Sequence, residues 1–83
     1  MSEREIGKVT DYFAHPVVAG VKVEEPLDVG ERIHIMGHTT DFELTVTSMQ
    51  INHQYISHAD MGEDIGIKVP DRVRAGDRVY KVE

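Results

Sequence analysis

The sequence predicts an all-β domain, a sandwich or a small barrel. Three observations predict it. Apolar and polar residues alternate with a period of two over residues 17–23, 33–35, 42–46 and 65–69. That is the period of strands with one buried face. Turn-forming residues separate these stretches. No window reads as an amphipathic helix of three turns; at most a single turn forms near residues 57–61. Short strands between turn signals, without helices, are the pattern of sandwiches and barrels.

Taken in order, residues 1–5 are polar and expected to be disordered. Residues 6–83 form a single domain, as their number allows. Residues 6–13 read as a strand, with Gly7, Val9 and Phe13 on one face and Ile6, Lys8, Thr10 and Tyr12 on the other. Gly7 within it implies close approach of another backbone or a corner. His15–Pro16 stops the strand, because proline has no donor for a ladder. Residues 17–24 form the second strand and complete a hairpin. A turn runs from Pro26 to Gly30, and Ile33 and Ile35 share the buried side of the next strand.

The most distinctive string is GHTTDFELTVTSMQI, residues 37–51. A turn from Gly37 to Asp41 opens it. Phe42, Leu44 and Val46 then alternate with Glu43, Thr45 and Thr47. The next apolar residues, Met49 and Ile51, are out of phase. A strand shifts phase only through a bulge or a break, which is placed at Thr47–Ser48. A strand bent in this way suits the corner of a small closed barrel. Residues 52–60 show little periodicity and read as an irregular crossing. A short strand at 65–69, a loop at 70–76 and a last strand at 79–82 complete the chain. The expected core is Val9, Val21, Val23, Ile33, Ile35, Phe42, Leu44, Val46, Met49, Ile65, Ile67 and Val79.

Three segments echo one another: LDVGERI (27–33), ADMGEDI (59–65) and VRAGDRV (73–79). In each, a small or apolar residue precedes a glycine, an acid and a β-branched residue. The reading is a turn. Gly30, Gly62 and Gly76 supply a positive φ at no steric cost, and the acid accepts hydrogen bonds from turn amides. The spacing is too irregular for a solenoid.

An 83-residue chain buries only about 60% of its unfolded surface, so its core is small. It has no cysteine, hence no thiolate metal site, no thiol nucleophile and no disulfide. With no apolar run near the ~20 residues of a membrane span, and no apolar core in the N-terminal stretch, a cytoplasmic location without membrane contact is expected. The net charge of −6 disfavours indiscriminate binding to phosphate backbones. The charge is uneven. Lys68, Arg72, Arg74, Arg78 and Lys81 face only Asp71 and Asp77 in residues 68–81. They form either a local basic patch or solvated strand edges and a loop.

Candidate chemistry is thin. His34 and His38 are four apart, a ligand spacing for a helix, but they sit on a strand and the turn after it. No metal and no cofactor are expected. Ser48 and Ser57 lack the strained elbow of a nucleophile, and Glu63–Asp64 faces solvent. No catalytic residue is assigned and no enzymatic activity is expected. Asp41 is assigned to its own turn, with Gly37, by hydrogen bonds of its side chain to nearby amides. His38, Thr39 and Thr40 serve either that turn or a partner. Since side chains fill a small barrel, binding must use its outside or a rim. The candidate surface is His38, Thr39 and Thr40 together with Arg72 and Arg74, whose guanidinium groups suit phosphate or carboxylate.

VKVEEPLDVGERIHIMG, ADMGEDIGIKV and RAGDRVYKV resemble the hairpin, the middle segment and the closing strand of domain 2 of translational GTPases such as elongation factor Tu. The string GHTTDFELTVTSMQINHQ resembles a narrower group: the barrel appended to collagenase-like peptidase family proteins, and free-standing elongation-factor-like relatives. Together these cover residues 6–82. The resemblance implies a small closed antiparallel barrel of six to seven strands. It implies a non-catalytic binding module that contacts RNA or a translation-related macromolecule. The alternative is a protein–protein docking domain acting in trans with a separate peptidase-like or RNA-modifying enzyme. No phosphate-cradling GTP loop is present, so no GTP binding is expected.

Overall fold

The computed structural model of the protein describes residues 2–14 and 17–83. They form ten strands: β1 (Glu3–Ala14), β2 (Val17–Val23), β3 (Leu27–Asp28), β4 (Arg32–Met36), β5 (Asp41–Thr45), β6 (Met49–Ile51), β7 (Gln54–Ile56), β8 (His58–Ala59), β9 (Asp64–Lys68) and β10 (Arg78–Val82). Eight of them make one antiparallel sheet in the order β5-β4-β10-β1-β2-β9-β6-β7, and β3 pairs with β8 apart from it. The radius of gyration is 11.1 Å, slightly below the ~12 Å typical of this chain length. The sheet therefore curls around a single core. It is not closed as expected: among the described residues no pairing joins the edge strands β5 and β7. The turn after β3 spans that gap. Val29 N–H donates to Ser57 C=O at 3.0 Å, beyond β7, and Gly30 N–H donates to Val46 C=O at 2.8 Å, beyond β5.

Two bulges decide which residues of β1 point inward. Its register against β10 shifts between Glu5 and Gly7, and against β2 between Val9 and Asp11. Each extra residue flips the side chains that follow it. Ile6, Gly7 and Val9 are consequently all buried, Tyr12 packs on the core, and Phe13 points outward, 53% exposed. This corrects the uninterrupted alternation expected for residues 6–13. Gly7 has the anticipated role: a Cβ there would stand 2.7 Å from the Lys22 carbonyl oxygen. Glu3, Arg4 and Glu5, expected to fray, pair with Val82, Lys81 and Tyr80. The His15–Pro16 stop lies outside the described residues, but Ala14 pairs with Val17 as a hairpin demands.

The phase slip after Val46 is a break: β5 ends at Thr45 and β6 begins at Met49. The expected irregular crossing at 52–60 is instead a tight hairpin followed by β8. Ile51 pairs with Gln54 across Asn52 and His53, whose φ values are 50° and 64°. A two-residue hairpin loop with positive φ at both positions matches the twist of its strands, and asparagine tolerates that conformation.

The three echoed segments adopt one structure. Gly30, Gly62 and Gly76 have φ of 98°, 91° and 99°, as the third position of a type II turn requires. The acid after each glycine closes the turn. The carboxylates of Glu31, Glu63 and Asp77 accept the amide hydrogens of Asp28, Asp60 and Arg74 at 2.8, 2.6 and 2.9 Å. Each glycine–acid pair then opposes a single valine. Gly30, Gly62 and Gly76 donate to the carbonyls of Val46, Val23 and Val9, and those valines donate back to the carbonyls of Glu31, Glu63 and Asp77. Two residues opposing one, the first a glycine at positive φ, make a β-bulge at the foot of β4, β9 and β10.

All the expected core residues are buried except Phe42, which packs against the core from its edge; Ile6, Ala19, Leu27, Ala59, Val69 and Val73 complete it. Ile35→Ala is expected to cost about 2–5 kcal/mol in denaturant melts, and Phe42→Ala less. A Phe42 loss as large as that of Ile35 would return Phe42 to the centre. Gly76→Ala is expected to cost about 1–3 kcal/mol, although its Cβ meets open space, because alanine must adopt the positive φ. A change within about 0.5 kcal/mol, the scale of ordinary surface substitutions, would show that the turn carries no such constraint.

Candidate functional site

The turn at residues 37–41 and the loop at 70–76 come together, as the expected surface requires. Thr39, Thr40, Asp41, Phe42, Asp71, Arg72 and Arg74 line a cleft of about 320 Å³. His38, expected with them, is exposed and does not line it. The cleft is built from the third echoed turn. Asp77 is 4% exposed, and one of its carboxylate oxygens caps the Arg74 amide at 2.9 Å. The other lies against Gly37, where any Cβ would collide with it. Gly37 N–H in turn donates to Thr40 C=O at 2.7 Å. A glycine and a buried carboxylate thus clamp one loop to the other. This close approach, not a positive φ, is what residue 37 requires of its side chain.

The arginines distinguish the cleft from the rest of the surface. Arg4, Arg32 and Arg78 each pair with a glutamate. Arg72 and Arg74 make no ion pair among the described residues, and both are exposed. Asp71 caps the Arg72 amide at 2.7 Å, which sets the backbone and leaves the guanidinium group free. The Arg72 head lies 5.9 Å from the centre of the Tyr12 ring, within reach of a cation–π contact. Two unpaired forks beside two threonines can hold an anion bidentately.

Asp41 departs from expectation. It begins β5, opposite Met36, and its carboxylate pairs with His34 Nε2 instead of with amides of its own turn. The other ring nitrogen of His34, Nδ1, faces Glu3 at 2.8 Å. Local sequence holds no sign of this, since Glu3 is 31 residues away. Glu3, His34 and Glu43 also place potential metal-ligand atoms within 4.8 Å of one another. Each already has a partner on the protein: Glu3 and His34 hold one another, and Glu43 pairs with Arg32 at 3.2 Å. His58 is held in the same manner, between Asp28 at 2.7 Å and Asp60 at 2.9 Å. It ties the first two echoed turns together.

No protein-family model matches the chain. In sequence it is 43% identical over 77 residues to an uncharacterised protease of Methanocaldococcus jannaschii, which covers 92% of this chain and 19% of that protein. It is 31% identical over 80 residues to a collagenase of Porphyromonas gingivalis, covering 94% of this chain and 22% of that one. The chain thus spans about a fifth of the length of the curated relatives it matches. In structure it resembles the C-terminal domain of a Geobacillus thermoleovorans protein described as a U32 peptidase. The TM-score is 0.89 at 15% identity, and the match covers 94% of this chain and 99% of that one. A second structure of that domain matches with the same TM-score at 14% identity, covering 96% and 93%. The matches support the resemblance to the peptidase-family barrel. They do not show the one to elongation factors.

The His34 pair has a testable pH signature. The hydrogen bond to Asp41 raises the imidazole pKa above its ordinary 6.5; burial opposes this, and Glu3 reinforces it. Because the folded value is the higher one, the stabilisation is fully present below pH 6.5 and is lost as pH rises through the raised value. Titration followed by NMR is expected to give a His34 midpoint above 6.5, and His34→Gln to abolish that part of the pH dependence of stability. A midpoint at or below 6.5 would remove the pair from the folded state in solution.

Proposed function

We propose that this chain is a non-catalytic binding module whose Arg72–Arg74 cleft contacts the phosphates of an RNA, within the translation or RNA-handling machinery of the cytoplasm. The observation that carries this reading is the pair of arginines left without ion pairs while the other three are neutralised. Thr39 is exposed in the same cleft and offers its hydroxyl group to the same ligand, whereas Thr40, only 5% exposed, lies in its wall. With a net charge of −6, the chain lacks the field for indiscriminate attraction. Contact is then confined to the cleft, where two forks fix position on a phosphate backbone. No helix among the described residues is long and apolar enough to cross a membrane.

A second reading has an observation of its own. The chain matches about a fifth of proteins named protease and collagenase, and it resembles a C-terminal domain cut from a larger protein. A docking domain that works with a separate peptidase-like or RNA-modifying enzyme fits that relation. There the arginines would meet carboxylates of the enzyme.

Affinity for transfer RNA and for ribosomal RNA, measured at several salt concentrations, tests the first reading. Arg72→Ala with Arg74→Ala is expected to weaken binding and to flatten the salt dependence by about 0.7–0.9 log unit per lost phosphate contact. Both side chains are exposed and only the Arg72–Tyr12 contact is lost, so stability is expected to fall by no more than about 1 kcal/mol. RNA affinity unchanged in the double variant would exclude the cleft. No RNA affinity, with salt-sensitive binding to a partner enzyme that the double variant loses, would establish the second reading.

A further inference from the structure

On another part of the sheet, one transverse row crosses five strands. Asp11 of β1 opposes Gly20 of β2, Gly20 opposes Gly66 of β9, Gly66 opposes Gln50 of β6, and Gln50 opposes Tyr55 of β7. Directly paired residues point to the same face, so the two central positions of this outward row carry no side chain. They leave a trench of about 550 Å³ floored by backbone. Its size lies within the range of ligand sites. Phe13, 53% exposed, and Val18 form the neighbouring row on one side. Asp64 stands on the other. Tyr55, at the end of the row, is 76% exposed.

Two carboxylates, Asp11 and Asp64, line the trench, and no lysine or arginine does. Lys22 and Lys68 stand in the rows on either side of Gly20 and Gly66. Among the described residues neither carboxylate makes an ion pair, although Lys22 is the cross-strand neighbour of Asp64. Most other surface carboxylates are paired with an arginine, a lysine or a histidine. The glycines have no compensating role in a turn, as their φ values are ordinary. The floor has no side chain of its own, although Val18 and Asp11 lean to 3.0 and 3.2 Å from where a Cβ of Gly66 and of Gly20 would stand. A narrow methylene stem or a planar group is what fits between them. An exposed phenyl ring attracts a cation over its face, and two unpaired carboxylates select positive charge over phosphate.

We propose that this trench is a second interaction surface, which takes an arginine side chain presented by an extended, basic segment of a partner protein. The stem lies along Gly20 and Gly66, and the guanidinium group pairs with Asp11 beside Phe13, with Asp64 across the trench. The surface is independent of the Arg72–Arg74 cleft, so either can fail without the other.

The probe is a short arginine-containing peptide, compared with the same peptide carrying citrulline, which keeps the shape and loses the charge. The arginine peptide is expected to shift the amide resonances of Gly20 and Gly66, and the citrulline peptide to leave them in place. Asp11→Asn with Asp64→Asn keeps the side-chain size, and its asparagine oxygen can still cap the Tyr12 amide as Asp11 does at 2.8 Å. It is expected to weaken binding by about tenfold or more. Phe13→Ala, at an exposed position, is expected to weaken it several-fold without unfolding the domain. Glu24→Gln with Glu83→Gln tests general attraction to an acidic protein and is expected to leave affinity unchanged. Equal binding of the citrulline peptide, an unchanged affinity in the double asparagine variant, or an equal loss in the glutamine control would overturn the proposal. So would a single-stranded RNA that shifts the same two glycine amides.

Discussion

The structure depends on one backbone arrangement used three times: a glycine and an acid gripping the peptide groups of one buried valine. Each grip stands where a strand begins, at the foot of β4, β9 or β10, and where its partner chain is about to leave the ladder. Buried amides and carbonyls must be paired. Val9, Val23 and Val46 are 1–2% exposed, so unsatisfied peptide groups there would be costly. The residues flanking each turn anchor it on the other side. Leu27, Ala59 and Val73 precede the glycines by three, Ile33, Ile65 and Val79 follow by three, and all six are in the core. Core burial and backbone satisfaction therefore specify the same register. That agreement between levels is what gives a small domain a single fold.

The third grip differs from the first two, and the candidate site follows from the difference. Glu31 and Glu63 are only partly buried, and Glu31 reaches Lys81 at 3.1 Å. Asp77 is one methylene shorter and is buried, which brings its second oxygen against Gly37. The turn that starts β10 thereby holds the turn that starts β5. Arg72 and Arg74 lie just before it, and Thr39 and Thr40 just after Gly37. The loops of the site thereby pack on a residue whose own peptide group belongs to the third grip. The first two turns are linked separately, through His58 between Asp28 and Asp60.

Period, glycine and turn chemistry made most of this legible before any coordinates. The alternation of Val21 with Val23, of Ile33 with Ile35 and of Ile65 with Ile67 identified the inward faces. The echoed glycines announced their positive φ, and the phase slip after Val46 announced the break. What failed was anything decided by register between distant strands. The two bulges in β1 turn Ile6 inward and Phe13 outward; Gly7 marks the neighbourhood of the first, and nothing local marks the second. His34 reads as an outward strand residue, and its engagement of Glu3 and Asp41 appears only when β1, β4 and β5 are assembled. The Asn52–His53 hairpin was hidden because its loop lacks the glycine of the usual Asn-Gly signal. The open ladder has the same origin: whether two edge strands meet depends on what lies between them, here β3 and its turn.

Exposed ion pairs contribute little to stability, about 0–1 kcal/mol each, so the pairs on this surface are poor candidates for holding the fold. Their value is as a record of which charges are already committed. Arg4, Arg32 and Arg78 have carboxylate partners on the protein, and binding a ligand through them would first require breaking a contact. Arg72 and Arg74 require no such step, nor do Asp11 and Asp64. The two unpaired arginines sit at one cleft, and Asp11 and Asp64 at a trench with a phenyl ring; Lys22 and Lys68, also without ion pairs among the described residues, stand one row away from that trench. A domain that met an anionic partner at the cleft and a cationic one at the trench would gain from holding the two places apart, since opposite charges held adjacent neutralise each other.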